Sequence, residues 1–309
     1  MRFFNKANFR FSEFIAEKTI AAIALTSFVF IFLILLFVFR ESVPLVIGQA
    51  EDDNGIVTLK ALLSLEWVPV SNHPRYGLWP LFLGSFKVTA VSMIIATPVA
   101  VFAAIYTATL APRKLKEIMK PVIEILAGFP SVVIGFFALM TMASFFQNTL
   151  GLKYRLNAFT GGVALSLAVI PIIYTVVEET LNSLPRTITE ASLALGATRW
   201  ETSLFVLLPA ATHGVFAAFL LGLGRAFGET MIILMATGNS ALTTWSFFDS
   251  VRTMSAAIGA EMAEVVFGDA HYNVLFFIGA CLFIFSFSLN AIAEFFLKQH
   301  MMKRFRGGA

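Results

Sequence analysis

The stretch TITEASLALGATRWETSLFVLLPAA, Thr187 to Ala211, decides how the rest of the chain is read. Thr187 and Thr189 are candidate N-caps, Glu190 falls in a first turn, and Ala191, Ala194 and Leu195 repeat at helical spacing. Gly196 permits a sharp turn, because glycine adopts the left-handed backbone that ends a helix. A second short helix is predicted from near Arg199, and Leu207-Leu208-Pro209 leads it into an apolar run. Such a helix–turn–helix elbow is either an ordinary amphipathic connector or a plug for a groove on a soluble partner.

The segments on either side of the elbow set its surroundings. A membrane helix needs roughly 20 apolar residues to cross the hydrocarbon. Six stretches qualify: Ile20 to Phe39, Leu81 to Leu110, Pro121 to Phe145, Phe159 to Val177, Thr212 to Thr237 and Asn273 to Leu297. Composition agrees, since 58% of the 309 residues are hydrophobic, 34 are Phe, and only 13% are charged. A water-soluble domain carries about 25% charged residues, so lipid must be the solvent for much of this chain. The first stretch is too long for a cleavable signal core and ends in Phe39-Arg40-Glu41, with no small-residue cleavage site; it reads as a retained anchor. The fold class is therefore an all-α membrane protein of about six transmembrane helices. No Gly/Ser-rich linker or short repeat divides it.

Lys and Arg in the short loops set the orientation. Arg2, Lys6, Arg10 and Lys18, then Arg113, Lys114, Lys116 and Lys120, and finally Lys298, Lys303, Arg304 and Arg306 fall on one side of six spans. That side is expected to be cytoplasmic, with both termini and the elbow. Residues 41–77 and 239–272 are mainly acidic and fall outside, whereas Lys153 and Arg155 run against the trend. Tyr76, Trp79 and Tyr272 are placed for an outer aromatic belt. The expected organisation is 1–40 for a cytoplasmic N-terminus and first helix, 41–77 for a periplasmic segment, 78–297 for the membrane domain with the elbow at 187–211, and 298–309 for a basic cytoplasmic tail. The net charge of +3 is too small to suggest nucleic acid. The single Cys281 lies in an apolar run and reads as packing. No His, Cys or carboxylate cluster has metal-site spacing, no nucleophile–base set is apparent, and no Walker-type GxxxxGK[ST] is present. The chain reads as neither a metalloprotein nor an enzyme.

The elbow also carries a resemblance. Glu190-Ala191-Ser192, three residues, Gly196, nine residues and Val206-Leu207-Leu208-Pro209 resemble the Glu-Ala-Ala loop of ABC importer permeases, with Ser and Val as conservative replacements. The resemblance covers roughly 76–297 and implies a five-helix permease core, to which the first helix and the outer segment look like an addition. It places Glu190, Ala191 and Gly196 on a coupling helix that docks into an ATPase subunit. Gly128-Phe129-Pro130-Ser131-Val132-Val133-Ile134-Gly135, Gly224-Arg225-Ala226-Phe227-Gly228-Glu229-Thr230-Met231 and Gly238-Asn239 are similar to signatures of phosphate-importer permeases, and look more like the PstC type than the PstA type. The resemblance implies several partners in a bacterial inner membrane: a second, PstA-like permease, two PstB-like ATPase subunits, a periplasmic PstS-like phosphate-binding protein, inorganic phosphate and membrane lipid. ATP would be used by the partner subunit and no cofactor held by this chain. An importer for molybdate or sulfate, the PstA-type paralogue and a membrane scaffold for phosphate sensing are the alternatives.

Arg225 and Glu229 are four apart, so a continuous helix would place both on one face within the fifth span. Charges at membrane depth are costly and find partners or water. The pair is either a salt bridge locking the helix to its neighbours or part of a substrate pathway in which Arg225 meets phosphate oxygens and Glu229 weakens capture so that release stays possible. Lys87 is expected to snorkel at the outer end of the second span or to attract anions there. Pro98, Pro130 and Pro171, with neighbouring glycines, are packing or hinge points.

Overall fold

The computed structural model describes residues 11–52 and 55–306; for 11–13, 52 and 296–306 it describes the backbone alone. Arg2, Lys6, Arg10 and Asp53 lie outside the described residues, as do the side chains of the basic tail. Helix α1, Phe11–Val46, has 36 residues, about 54 Å at the rise of an α-helix. It outruns the expected span at both ends and packs along the last helix, α11 (Ala270–Arg306), where Phe37 meets Phe276 edge-on at 5.4 Å.

The segment that follows, up to residue 78, folds back as two short hairpins, β1 (Ala50–Asp52) with β2 (Gly55–Val57) and β3 (Trp67–Val68) with β4 (Arg75–Tyr76). Helix α2, Trp79–Leu110, closes in a wide π turn at Tyr106–Leu110. Helix α3, Arg113–Gly128, is amphipathic and buries no side chain. Next come α4 (Ser131–Leu150) and α5 (Ala158–Asn182). Helices α2 and α5 form the centre of the molecule, with Ala96, Ala100 and Ala104 of α2 facing Leu165, Val169 and Ile173 of α5 in one apolar core. A Cβ on Gly162 would lie 2.5 Å from the Val91 Cβ, so glycine is what allows the two backbones this close.

The expected third span, Pro121 to Phe145, is not continuous. Phe129 adopts extended geometry (φ −65°, ψ 129°) and Pro130 follows at φ −58°, ψ 133°. The residue before proline is sterically pushed out of the helical region, so α3 stops and α4 starts afresh at Ser131.

The elbow is α6 (Arg186–Ala194) and α7 (Arg199–Ala210), after which the chain bends by 72° into α8 (Thr212–Gly228). Then come the short α9 (Met231–Ala236), a returning loop, α10 (Met254–Glu261) and α11. Among the described residues five helices are long and apolar enough to span a membrane, and α7 with α8 makes a sixth bent candidate. Tyr76 and Tyr272 are buried rather than displayed as a belt: Tyr76 lies against Trp67 and His271, and Tyr272 against Phe267 and Phe276.

Candidate translocation site and coupling elbow

The fifth span breaks at the charged pair. Gly228 ends α8, Glu229 takes extended geometry (φ −69°, ψ 134°), and α9 begins at Met231. Arg225 and Glu229 therefore do not share one continuous helix, yet the pair closes across the break, Arg225 Nη2 lying 3.2 Å from Glu229 Oε2. Its two halves are unlike. The Glu229 side chain is 5% exposed and the Arg225 side chain 50%.

Glu229 is tied into the backbone. Its Oε1 accepts the Met231 N–H at 3.2 Å, filling a vacant donor at the start of α9. Its carbonyl accepts the Ser255 hydroxyl at 2.7 Å, and Thr253 caps α10 by accepting the Ala256 N–H at 3.2 Å. Among the described residues the Arg225 guanidinium has Glu229 as its ion-pair partner and otherwise faces outward. The two glycine-rich signatures meet beside it: a Cβ on Gly135 would lie 3.1 Å from the Met231 carbonyl oxygen and 3.2 Å from the Ile232 Cα, so α4 and α9 touch backbone to backbone.

Above the break the chain turns back at Gly238 and Asn239, both at positive φ (81° and 50°). This returning loop is anchored from several elements. Phe247 and Asp249 carbonyls accept the Phe159 and Ala158 N–H groups at the start of α5. Arg252 Nε donates to the Asn239 carbonyl at 3.0 Å. Lys87 does not snorkel; it is buried, and its Nζ donates to the Thr244 and Ser246 carbonyls at 2.8 and 3.0 Å. An ammonium with its hydrogens directed at fixed carbonyls is a clamp on this loop rather than an anion trap at the entrance.

In the elbow Thr187 and Thr189 lie inside α6, and Pro185 occupies the N-cap position. Proline supplies the preset φ and lacks the N–H that a first turn leaves unpaired. Gly196 has φ +91° and its N–H donates to the Leu193 carbonyl at 3.0 Å, the expected helix stop. Helix α7 starts at Arg199, where it was expected; its cap went unread, a reciprocal capping box of Thr198 and Glu201 announced by the Thr-x-x-Glu pattern. Glu190 and Ala191 are exposed, and Leu195 at the turn is 90% exposed.

A multi-helix membrane bundle with a span broken at a buried carboxylate and an exposed amphipathic elbow fits the architecture of a transport subunit. The model of the binding-protein-dependent transport system inner membrane component family matches residues 96–299, and the chain belongs to that family. It is a permease subunit of an ABC importer, not an enzyme, and ATP hydrolysis belongs to a separate subunit. It is 37% identical over 234 residues to a probable ABC transporter permease protein, YqgH, of Bacillus subtilis, covering 76% of each chain. It is 30% identical over 291 residues to the phosphate transport system permease protein PstC of Haemophilus influenzae, covering 88% of this chain and 89% of that one. The fold is similar to a chain of a bacterial ABC transporter involved in the import of the acidic polysaccharide alginate, with a TM-score of 0.57, 11% identity, and coverage of 95% and 98%.

Proposed function

We propose that this chain is the PstC-type permease of a phosphate importer in a bacterial inner membrane. The observation that carries the reading is Arg225: a guanidinium at a helix break within a span, held on one side by a buried carboxylate and open on the other. A planar donor array of this kind suits the oxygens of phosphate, which it can engage in pairs. Glu229 fixes the guanidinium and lowers the local positive charge, so an arriving anion is held briefly and released. The PstC name of the Haemophilus relative supports the substrate.

Because Arg225 faces outward, half of the path has to be supplied by a second, PstA-like permease. Both termini and the elbow lie in the cytoplasm in this reading, residues 41–77 in the periplasm facing a PstS-like binding protein, and 298–309 in a cytoplasmic tail. Glu190, Ala191 and Gly196 then present the elbow to a PstB-like ATPase, two copies of which hydrolyse ATP for the pair of permeases. Closure of the ATPases pushes on α6 and α7 and, through the 72° bend, moves α8 and its broken end.

The test is uptake of labelled phosphate, sulfate and molybdate by cells carrying the wild type, Arg225→Lys or Arg225→Ala. Phosphate uptake falling at least about tenfold in both variants, with normal assembly, is expected from loss of a paired charge-assisted contact. Arg225-dependent uptake of sulfate or molybdate without phosphate would overturn the substrate. Loss of assembly in Arg225→Lys would make the pair a lock rather than a path.

A further inference from the structure

A second cationic site lies away from Arg225, inside the elbow. Lys116 of α3, Arg186 of α6 and Arg199 of α7 line one cavity of about 410 Å³ that also reaches Thr109 at the end of α2 and Ser203 of α7. Three separate elements thus bring three cations to one space, and none of the side chains lining it is acidic. Among the described residues none of the three has a carboxylate within ion-pair reach. Lys116 Nζ makes one contact, to the Ala108 carbonyl at 3.3 Å, which leaves it donors to spare. Asn182, also on the wall, donates its amide to Glu178 at 2.9 Å and so holds the neighbouring carboxylate with a neutral group.

The wall itself is fixed. The Ser203 hydroxyl lies 2.8 Å from the Thr109 hydroxyl and from the Arg199 carbonyl, and Ser192 and Thr202 are joined at 2.9 Å. The hydroxyls are thereby satisfied by one another and pin α7 to the end of α2, while the cations are the members of the wall that lack an ion-pair partner among the described residues. Converging like charges repel, and an anion with several oxygens relieves that repulsion while accepting from two guanidinium groups and an ammonium.

We infer that the elbow cavity binds a phosphate-bearing anion, either free phosphate or the phosphate of an anionic lipid headgroup, and that this site is separate from the Arg225 pathway. It goes beyond the transport reading, because it stands whichever oxyanion the pore carries. Since α6 and α7 both contribute, occupation ties the two arms of the elbow together and stiffens the element that meets the ATPase.

The experiment is a footprint on the full chain in nanodiscs. The rate of Lys116 acetylation is compared with that of the exposed Lys114 by mass spectrometry. One arm adds sodium phosphate to phosphatidylcholine discs, against sodium chloride at equal ionic strength. The other arm replaces part of the phosphatidylcholine by phosphatidylglycerol without added phosphate. Slowing of Lys116 by about tenfold at saturation, with Lys114 unaffected, is expected in at least one arm, and the arm identifies the source. Absence of Lys116 protection in both arms overturns the proposal without any mutation. Arg186→Gln with Arg199→Gln should weaken the apparent affinity by about tenfold or more; unchanged protection in that double variant overturns it as well. Protection should persist in Arg225→Ala, and its loss there would overturn the separation of the two sites. Failure of the phosphate-uptake test leaves this footprint unaffected, so the two readings fail independently.

Discussion

At the scale of single residues, the charged pair divides its labour. Glu229 is a structural joint whose carboxylate and carbonyl bind α9 and α10, and Arg225 is the member open to a ligand. Leu195 is the counterpart at the elbow. An apolar side chain 90% exposed beside a left-handed glycine contributes little to the isolated fold, and in the proposed complex it is the part of the elbow that the ATPase would cover. Leu195→Asp is accordingly expected to leave thermal stability within about 0.5 kcal/mol of wild type, as a surface change does. The same substitution should reduce co-purification of the ATPase subunit by at least about tenfold, since buried leucine at the centre of an interface contributes on the order of 2 kcal/mol. Undiminished co-purification would remove the elbow tip from the docking surface. Gly196→Val is a harsher probe of the same place, because a β-branched residue at φ +91° is strained wherever the partner sits.

At the scale of elements, close approach through glycine sets the packing. A Cβ on Gly162 would overlap the Val91 side chain at 2.5 Å and come within 3.0 Å of the Val88 carbonyl, in the middle of the α2–α5 contact. On Gly135 the nearest neighbours are the Met235 sulfur at 3.0 Å and the α9 backbone just beyond. Gly162→Ala should lower the thermal unfolding midpoint of the solubilised protein, with overpacking costing about 1–3 kcal/mol. Gly135→Ala should affect stability less and uptake more, because its methyl pushes α4 off the helix break that orients Arg225. Equal midpoints for Gly162→Ala and wild type would refute the α2–α5 contact. These elements also show what the sequence could and could not reveal. Apolar length gave the spans, and Gly196 gave the elbow, because both are local signals. The breaks at Phe129 and Glu229 were missed. Pro130 was in plain view, but the apolar run on either side hid the discontinuity. Glu229 is held outside the helix by the Met231 N–H two residues on and by the Ser255 hydroxyl 26 residues on, and the second partner leaves no local signal. Lys87 was misplaced for the same reason, since its carbonyl acceptors lie 157 and 159 residues away.

At the scale of the whole molecule the described residues form two large cores, one between α2, α5 and α8 and another where residues 45–81 meet α10 and α11, beside a small cluster of Ala217, Leu220 and Ala293 between α8 and α11. Glu261 joins the second core. One carboxylate accepts from Trp67 Nε1 at 3.1 Å, pairs with Arg252, and lies 3.0 Å from His271 Nε2. Through Trp67 it holds the β3–β4 hairpin, through Arg252 the returning loop at Asn239, and through His271 the start of α11. Loss of this carboxylate strands a partly buried guanidinium and the indole N–H, and breaking a buried pair from one side costs about 3–5 kcal/mol. The side chains that this carboxylate holds lie outside the α2–α5 contact, and the returning loop reaches α2 at its first turns through its backbone, the Arg252 carbonyl against Gly84 and the Met254 N–H on Ser85 Oγ. Glu261→Ala is therefore expected to accelerate hydrogen exchange in residues 67–76 and 252–261 by about a hundredfold or more, with α2 and α5 exchanging as in wild type. Uniform acceleration through α2 and α5 would mean that the two cores unfold as one. Unchanged exchange in residues 67–76 would mean that the β3–β4 hairpin is held by its apolar contacts alone. Only the local outcome lets residues 67–76 loosen and re-form, as the proposed contact with a binding protein would require, while α2 and α5 keep their packing.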